Sequence, residues 1–352
     1  MHDVLPLHGT VMALLVFGPP EVRRAYVGVM RLVATAGGTR PFDGDSAALV
    51  RMFAGLQGCA GCHGFDKSLD FSALLGSEEP WVDEEEAIAS IAQGLSTEKD
   101  RQEAVHAGLM VSLYSHEPDP AGTRMARRVA VRLGADDALF SAVEKIANEN
   151  VATAKAEVFR RMLSGRTGIG SELIAAHMSA HSLGQMSPPE LVARYHRLLA
   201  DAPAGSLGAE MLQFYKDADF DIPGTPGVPL PVEFLGSHDV HHVLAGYGAS
   251  PQGEVYTAVF NAANSSAGIG WLSVVLLQWH QGVKMGVFAP VHSHLDPQLM
   301  GVAAQRGAQT PVDVYDSAWD WLPLLSLPLG QVRQQLGIPP GGTVGPGVSW
   351  SS

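Results

Sequence analysis

Cysteine is almost missing from this chain, with two in 352 residues. That excludes a disulfide-stapled scaffold. Charge is also scarce, at 17% of residues, and it leans one way: 23 Lys and Arg against 36 Asp and Glu give a formal net charge of -13. Binding nucleic acid needs a basic footprint, and docking on an anionic bilayer through a polybasic patch needs one too, so this balance argues against both. No uninterrupted apolar run is long enough to span a bilayer. Residues 11–17 are too few and are ended by Gly18-Pro19-Pro20, and residues 269–288 are broken by Gln278, His280, Gln281 and Lys284. The second segment reads as a buried helix or helix pair, or at most a membrane-contacting surface. The start, Met1-His2-Asp3, lacks the basic region of an export signal. The expected location is cytoplasmic, with a peripheral position on the inner face of the cell membrane as the variant. Hydrophobic residues make up 46% of the chain, enough to bury a sizeable core and exclude wholesale disorder.

Apolar residues recur at three-and-four spacing in residues 87–93, 124–133 and 139–162, and further helices are expected at 170–182, 188–200 and 206–218. The pattern predicts an all-α protein of two helical domains. Residues 1–165 form the first and 166–340 the second, with a break at Ser164–Gly168 after a helix ending near Met162 and a flexible tail over 341–352. Pro223–Pro229, rich in proline and glycine, is expected to be an extended connector.

The chemistry concentrates in residues 236–254. His238 and His242 are four apart, which on a helix stacks both imidazoles on one face. Gly246 and Gly248 are placed to stop that helix, Ser250 to N-cap the next and Pro251 to open it, so Glu254 falls in the first turn of a second helix. An antiparallel hairpin turns Glu254 toward the two histidines. Asp239, about 100° around the helix from His238, is a fourth ligand, a general base or a residue that orients a ligand from behind it. Two imidazoles and a carboxylate with an open position suit Zn²⁺, the expected ion, and also Fe(II). A histidine-rich helix end that merely caps carbonyls is the plainer alternative. The pattern differs from H-E-x-x-H metalloproteases because the shorter Asp239 stands where their glutamate base would be. His241 lies on a neighbouring face, and His280, His292 and His294 read as loop or helix-end residues, with His292-x-His294 a reserve site.

At these residues the chain resembles the coenzyme Q biosynthesis protein 4 family, whose hallmark is H-D-x-x-H, eleven residues, then Glu preceded by Gly. His238, Asp239, His242 and Gly253-Glu254 match it position for position. Gly205-Ser206-Leu207-Gly208 with Phe214-Tyr215, Trp319, and the stretch Leu329 to Ile338 are similar to the family's upstream helix and C-terminal ending. The likeness covers residues 168–338, and the family's core has no counterpart of the first 165 residues. The loop Gly246–Gln252 also departs from the family's mitochondrial version. The resemblance implies an all-α domain with a divalent metal at His238, Asp239, His242 and Glu254, and an apolar groove for a prenyl chain. It also implies a part in ubiquinone synthesis: oxidative decarboxylation of a polyprenyl-hydroxybenzoate, organisation of the biosynthetic complex, or both. The implied partners are a prenylated aromatic or quinone lipid, other quinone-pathway proteins and further copies of the chain.

In the first half, Cys59-Ala60-Gly61-Cys62-His63 fits the C-x-x-C-H pattern of covalent haem attachment, which makes a c-type electron carrier the alternative function. A thiol pair or a small-residue helix end are its other readings. Asp83-Glu84-Glu85-Glu86 is expected to open a helix, where carboxylates suit the dipole. Asp43-Gly44-Asp45 and Leu133-Gly134-Ala135-Asp136 are similar to the tellurite-resistance B-like helical domain, implying partner binding or oligomerisation; a non-catalytic helical adaptor is the third functional class.

Overall fold

The computed structural model describes residue 15 and residues 18–55, 83–149, 152–265, 268–285, 290–316 and 318–343. The expected all-α fold is observed, with fifteen α-helices and no strand among these residues. No helix among them is long and apolar enough to cross a membrane.

The first half contains α1 (Pro20–Ala34), α2 (Gly44–Gly55), α3 (Glu84–Gln93), α4 (Glu98–Tyr114), α5 (Pro120–Leu133) and α6 (Ala138–Glu149). Local chemistry fixes their starts. Asp83 accepts from the backbone N–H groups of Glu85 and Glu86, so the acidic run does open a helix. Thr97 and Asp100 form a reciprocal capping box on α4. Asp119 caps α5 and takes both guanidinium branches of Arg40, at 2.8 and 2.6 Å. α4 is buried from Glu103 to Tyr114 on every face, so it forms the centre of this half.

The second half contains α7 (Ala152–Thr167), α8 (Ser171–Ser179), α9 (Pro189–Ala200), α10 (Leu207–Ala218), α11 (Val232–Ala245), α12 (Pro251–Asn264), α13 (Gly268–Trp279), α14 (Pro297–Gln309) and α15 (Leu329–Leu336). α12 is its buried axis, packed against α11, α13 and α14. Two buried guanidiniums close the C-terminal end of α11. Arg333 donates to the carbonyls of Val243 and Leu244, and Arg306 to that of Ala245 at 2.7 Å. Helix ends leave carbonyls without intrahelical partners, and cations there also complement the dipole.

One cluster of buried apolar residues runs from Leu15 to Ile338 and takes in both halves. The ring of His280, just past α13, lies 2.7 Å from the carbonyls of Tyr114 and of Ser293, tying the end of α4 to the loop before α14. Three sequence expectations change. The periodic window 139–162 is two helices, and the second runs on to Thr167, so the division at 165/166 falls within α7; Gly168, at φ +69°, follows it. Residues 223–229 are folded into turns, closed by bonds from Thr225 N to Ile222 O and from Val228 N to Thr225 O. The start of the tail is held in place, because Arg306 donates to Pro339 O and Thr343 N to Gly246 O; residues 344–352 lie outside the described residues.

Glu103 of α4 is buried and accepts a hydrogen bond from Tyr26 Oη at 3.2 Å. Burial pushes its carboxyl up to about 7, against the smaller lowering by Lys99 and Tyr26. A carboxyl whose folded pKa exceeds its unfolded one stabilises the fold at low pH and loses that contribution as pH rises through the folded value. The wild type should therefore lose stability between pH 5 and pH 8, on the order of 3 kcal/mol from this group. Glu103→Gln should flatten that slope in denaturant titrations at the two pH values; an unchanged slope would contradict the assignment.

Candidate metal centre

α11 stops at Gly246, whose φ of +77° is the left-handed cap conformation and whose N–H bonds His242 O at 2.8 Å. Ser250 then accepts from Gly253 N, and Pro251 occupies the first turn of α12. Gly253 is required by closeness rather than by φ, since a Cβ there would sit 1.9 Å from Gly248 O. This tight turn returns the chain so that Glu254 faces α11.

The expected triad is assembled. Glu254 Oε2 stands 3.5 Å from His238 Nε2 and 3.5 Å from His242 Nε2, and one donor atom from each residue lies within 4.8 Å of the others. Donors on a tetrahedral ion with bonds of ~2.1 Å are about 3.4 Å apart, so the spacing fits. Among the described residues this is the only such group of three.

The surroundings orient the donors. His242 Nδ1 lies 3.1 Å from the carbonyl of Tyr247 and 3.1 Å from Thr257 Oγ1. A carbonyl only accepts, so Nδ1 carries the proton and Nε2 presents a lone pair to the centre. That Nε2 is buried without a hydrogen bond. A buried acceptor left in this state is costly unless a cation completes it. His238 Nδ1 lies 3.0 Å from Asp239 Oδ1, which likewise turns His238 Nε2 inward. Tyr215 lies close enough to Asp239 to feel its charge, and Tyr195 Oη lies 2.6 Å from Tyr215 Oη. Asp239 meets His238 at Nδ1, the ring nitrogen remote from Glu254, and is not one of the three grouped donors.

Burial opposes charge on His238, but its bonds to Asp239 and Glu254 outweigh this and push its pKa up to about 9. Burial also opposes ionisation of Glu254, yet the two imidazoles beside it, of His242 and His238, hold its carboxyl well below the usual range. Burial and the charge on Asp239 raise both Tyr195 and Tyr215, keeping them protonated as donors.

The centre opens into a cavity of about 280 Å³. Its walls are largely apolar, from Phe159 and Met162 of α7, Phe234 of α11, Trp271, Val274, Val275 and Trp279 of α13, and Met285; His238, Asp239 and Glu254 form its polar end. The Trp271 ring meets His238 edge-on at 5.7 Å and Phe234 lies parallel to it at 6.4 Å.

The other candidates lie elsewhere. His241 Nε2 is 2.6 Å from Val314 O, and its ring packs on Tyr315 and Trp319, facing away from the triad. His280 is part of the seam between the halves. His292 and His294 do approach a third imidazole, His116, at ring separations of 5.9 and 4.9 Å, which spacing in sequence gave no sign of. Cys59, Cys62 and His63 lie outside the described residues. Tyr195, Thr257 and Trp271 belong to no motif, and Gln278 shows in the sequence only as a break in an apolar run. Ser206, in the matching upstream segment, caps α10. Arg333, in the matching C-terminal segment, clamps α11. No family model, curated protein or solved structure matches the chain.

Tyr215→Phe removes the hydroxyl beside Asp239. It should weaken Zn²⁺ retention about 10- to 100-fold in chelator competition while leaving the helical circular dichroism intact. Unchanged retention would show that the tyrosine chain does not support the centre.

Proposed function

We propose that this chain is a metal-dependent protein of prenylated-quinone synthesis that removes the carboxyl group of a prenylated hydroxybenzoate. The observation that carries this reading is that His238 and Glu254, two of the three grouped donors, stand at the polar end of a largely apolar cavity. The donor set suits Zn²⁺ or Fe(II). A divalent cation held there supplies Lewis acidity for an acid oxygen and for the charge that develops as CO₂ leaves.

The chain's own residues do the rest. His238, His242 and Glu254 supply the donor atoms, and Asp239 holds His238 in its ligating orientation. Trp271 and Phe234 flank the polar end and present ring surfaces to an aromatic substrate while excluding water. Val274, Val275, Trp279 and Met285 offer the prenyl chain an apolar wall. In the balanced reaction the bond between ring and carboxyl carbon breaks, the carboxyl group leaves as CO₂, and a solvent proton takes its place on the ring. Phe220, which is half exposed, sits on the cavity wall. An apolar side chain there suits uptake of substrate from a bilayer surface, and thus a peripheral location.

Purified full-length protein should hold one divalent metal per chain and release CO₂ from a farnesylated 4-hydroxybenzoate. His238→Ala and Glu254→Ala should lower CO₂ release at least 100-fold, the order expected when a donor to the reacting charge is lost. Equal release by wild type and both variants would end the enzyme reading.

A further inference from the structure

The cavity has a second polar feature that the triad does not use. Trp271, Val274, Val275 and Gln278 all line it from α13. Their spacing of three, four and seven residues makes one stripe of that helix. The stripe begins beside His238, which Trp271 contacts, and ends two turns on at Gln278, about 10 Å along the axis at 1.5 Å per residue. Gln278 is 3% exposed, and its Nε2 has no hydrogen-bond partner. Its backbone is fixed, since Gln278 O accepts from Val291 N at 3.0 Å. A buried amide without an acceptor is a rare and costly feature of a folded chain, and at a cavity wall it is satisfied by what fills the cavity.

We propose that Gln278 is the second polar anchor of this cavity, donating its amide N–H to an oxygen on the end of the ligand remote from the His238–His242–Glu254 triad. This deepens the reading under Proposed function and rests on it. The ligand class it selects is a flat aromatic acid with an oxygen function, hydroxyl or carbonyl, placed across the ring from the acid group. An amide donor is neutral, so it favours a neutral oxygen over a second carboxylate only through desolvation, and it rejects an analogue with no oxygen there because the amide is then left unpaired.

The test uses the full-length, zinc-loaded chain and two probes, 3-farnesyl-4-hydroxybenzoate and its 4-deoxy counterpart, titrated by calorimetry. Wild type should bind the hydroxylated probe at least tenfold more tightly. Gln278→Met, close in volume and without the donor, should lose that preference by weakening the hydroxylated probe alone. Zinc stoichiometry should not change. The melting temperature of the ligand-free variant should stay level or rise by about 1–2 °C, since an unpaired buried donor has gone. Preference retained in Gln278→Met, or no preference in wild type, overturns the proposal. A variant that fails to fold or melts several degrees lower shows the amide to be satisfied within the protein and overturns it as well. Zinc content and its loss in His238→Ala separate these outcomes from failure of the metal centre itself.

Discussion

The approach of the first turn of α12 to the C-terminal turn of α11 is the constraint on which the rest of the structure depends. It brings a carboxylate to within 3.5 Å of two imidazoles whose own spacing is fixed by the helix. The approach is possible only because the turn carries no side chain where Gly253 meets Gly248, and because Gly246 can adopt a left-handed cap. Arg306 and Arg333, both buried, then lock the last carbonyls of α11 from the opposite side. These two side chains come from α14 and α15, so elements remote in sequence decide whether the hairpin is rigid.

The electrostatics of the centre follow from the same packing. Burial alone would favour the neutral forms of Glu254 and His238. Mutual contact reverses this for Glu254 and for His238, and the hydrogen bonds at the two Nδ1 atoms turn both Nε2 atoms inward. The result is a set of three buried donors facing one another in a wall of low dielectric. The 2.6 Å contact of Tyr195 with Tyr215, beside Asp239, links α9 and α10 next to the centre.

Much of this was legible in the sequence, because it depends on local rules. The histidine pair needs only helical spacing, Ser250-Pro251 announces a helix start, and Asp83 before three glutamates does the same for α3. The parts that were not legible are tertiary. Nothing local distinguishes Tyr195 or Tyr215 from any other core tyrosine, and the approach of Asp239 to His238 Nδ1 is a matter of side-chain placement that spacing does not state. Gln278 read as an interruption of an apolar run, whereas its place on the cavity wall comes from the packing of α13. Composition made the residues after Ile338 look loose, yet Arg306 and Gly246 give Pro339 and Thr343 specific partners. The meeting of His116 with His292 and His294 depends on the seam between the halves and has no counterpart in linear spacing.

The most direct measurement is anomalous diffraction from crystals of the zinc-loaded chain, recorded on both sides of the zinc edge. A single anomalous peak about 2.0–2.2 Å from His238 Nε2, His242 Nε2 and one Glu254 oxygen is expected. No peak, or one confined to the His116, His292 and His294 cluster, would contradict a metal centre at this hairpin.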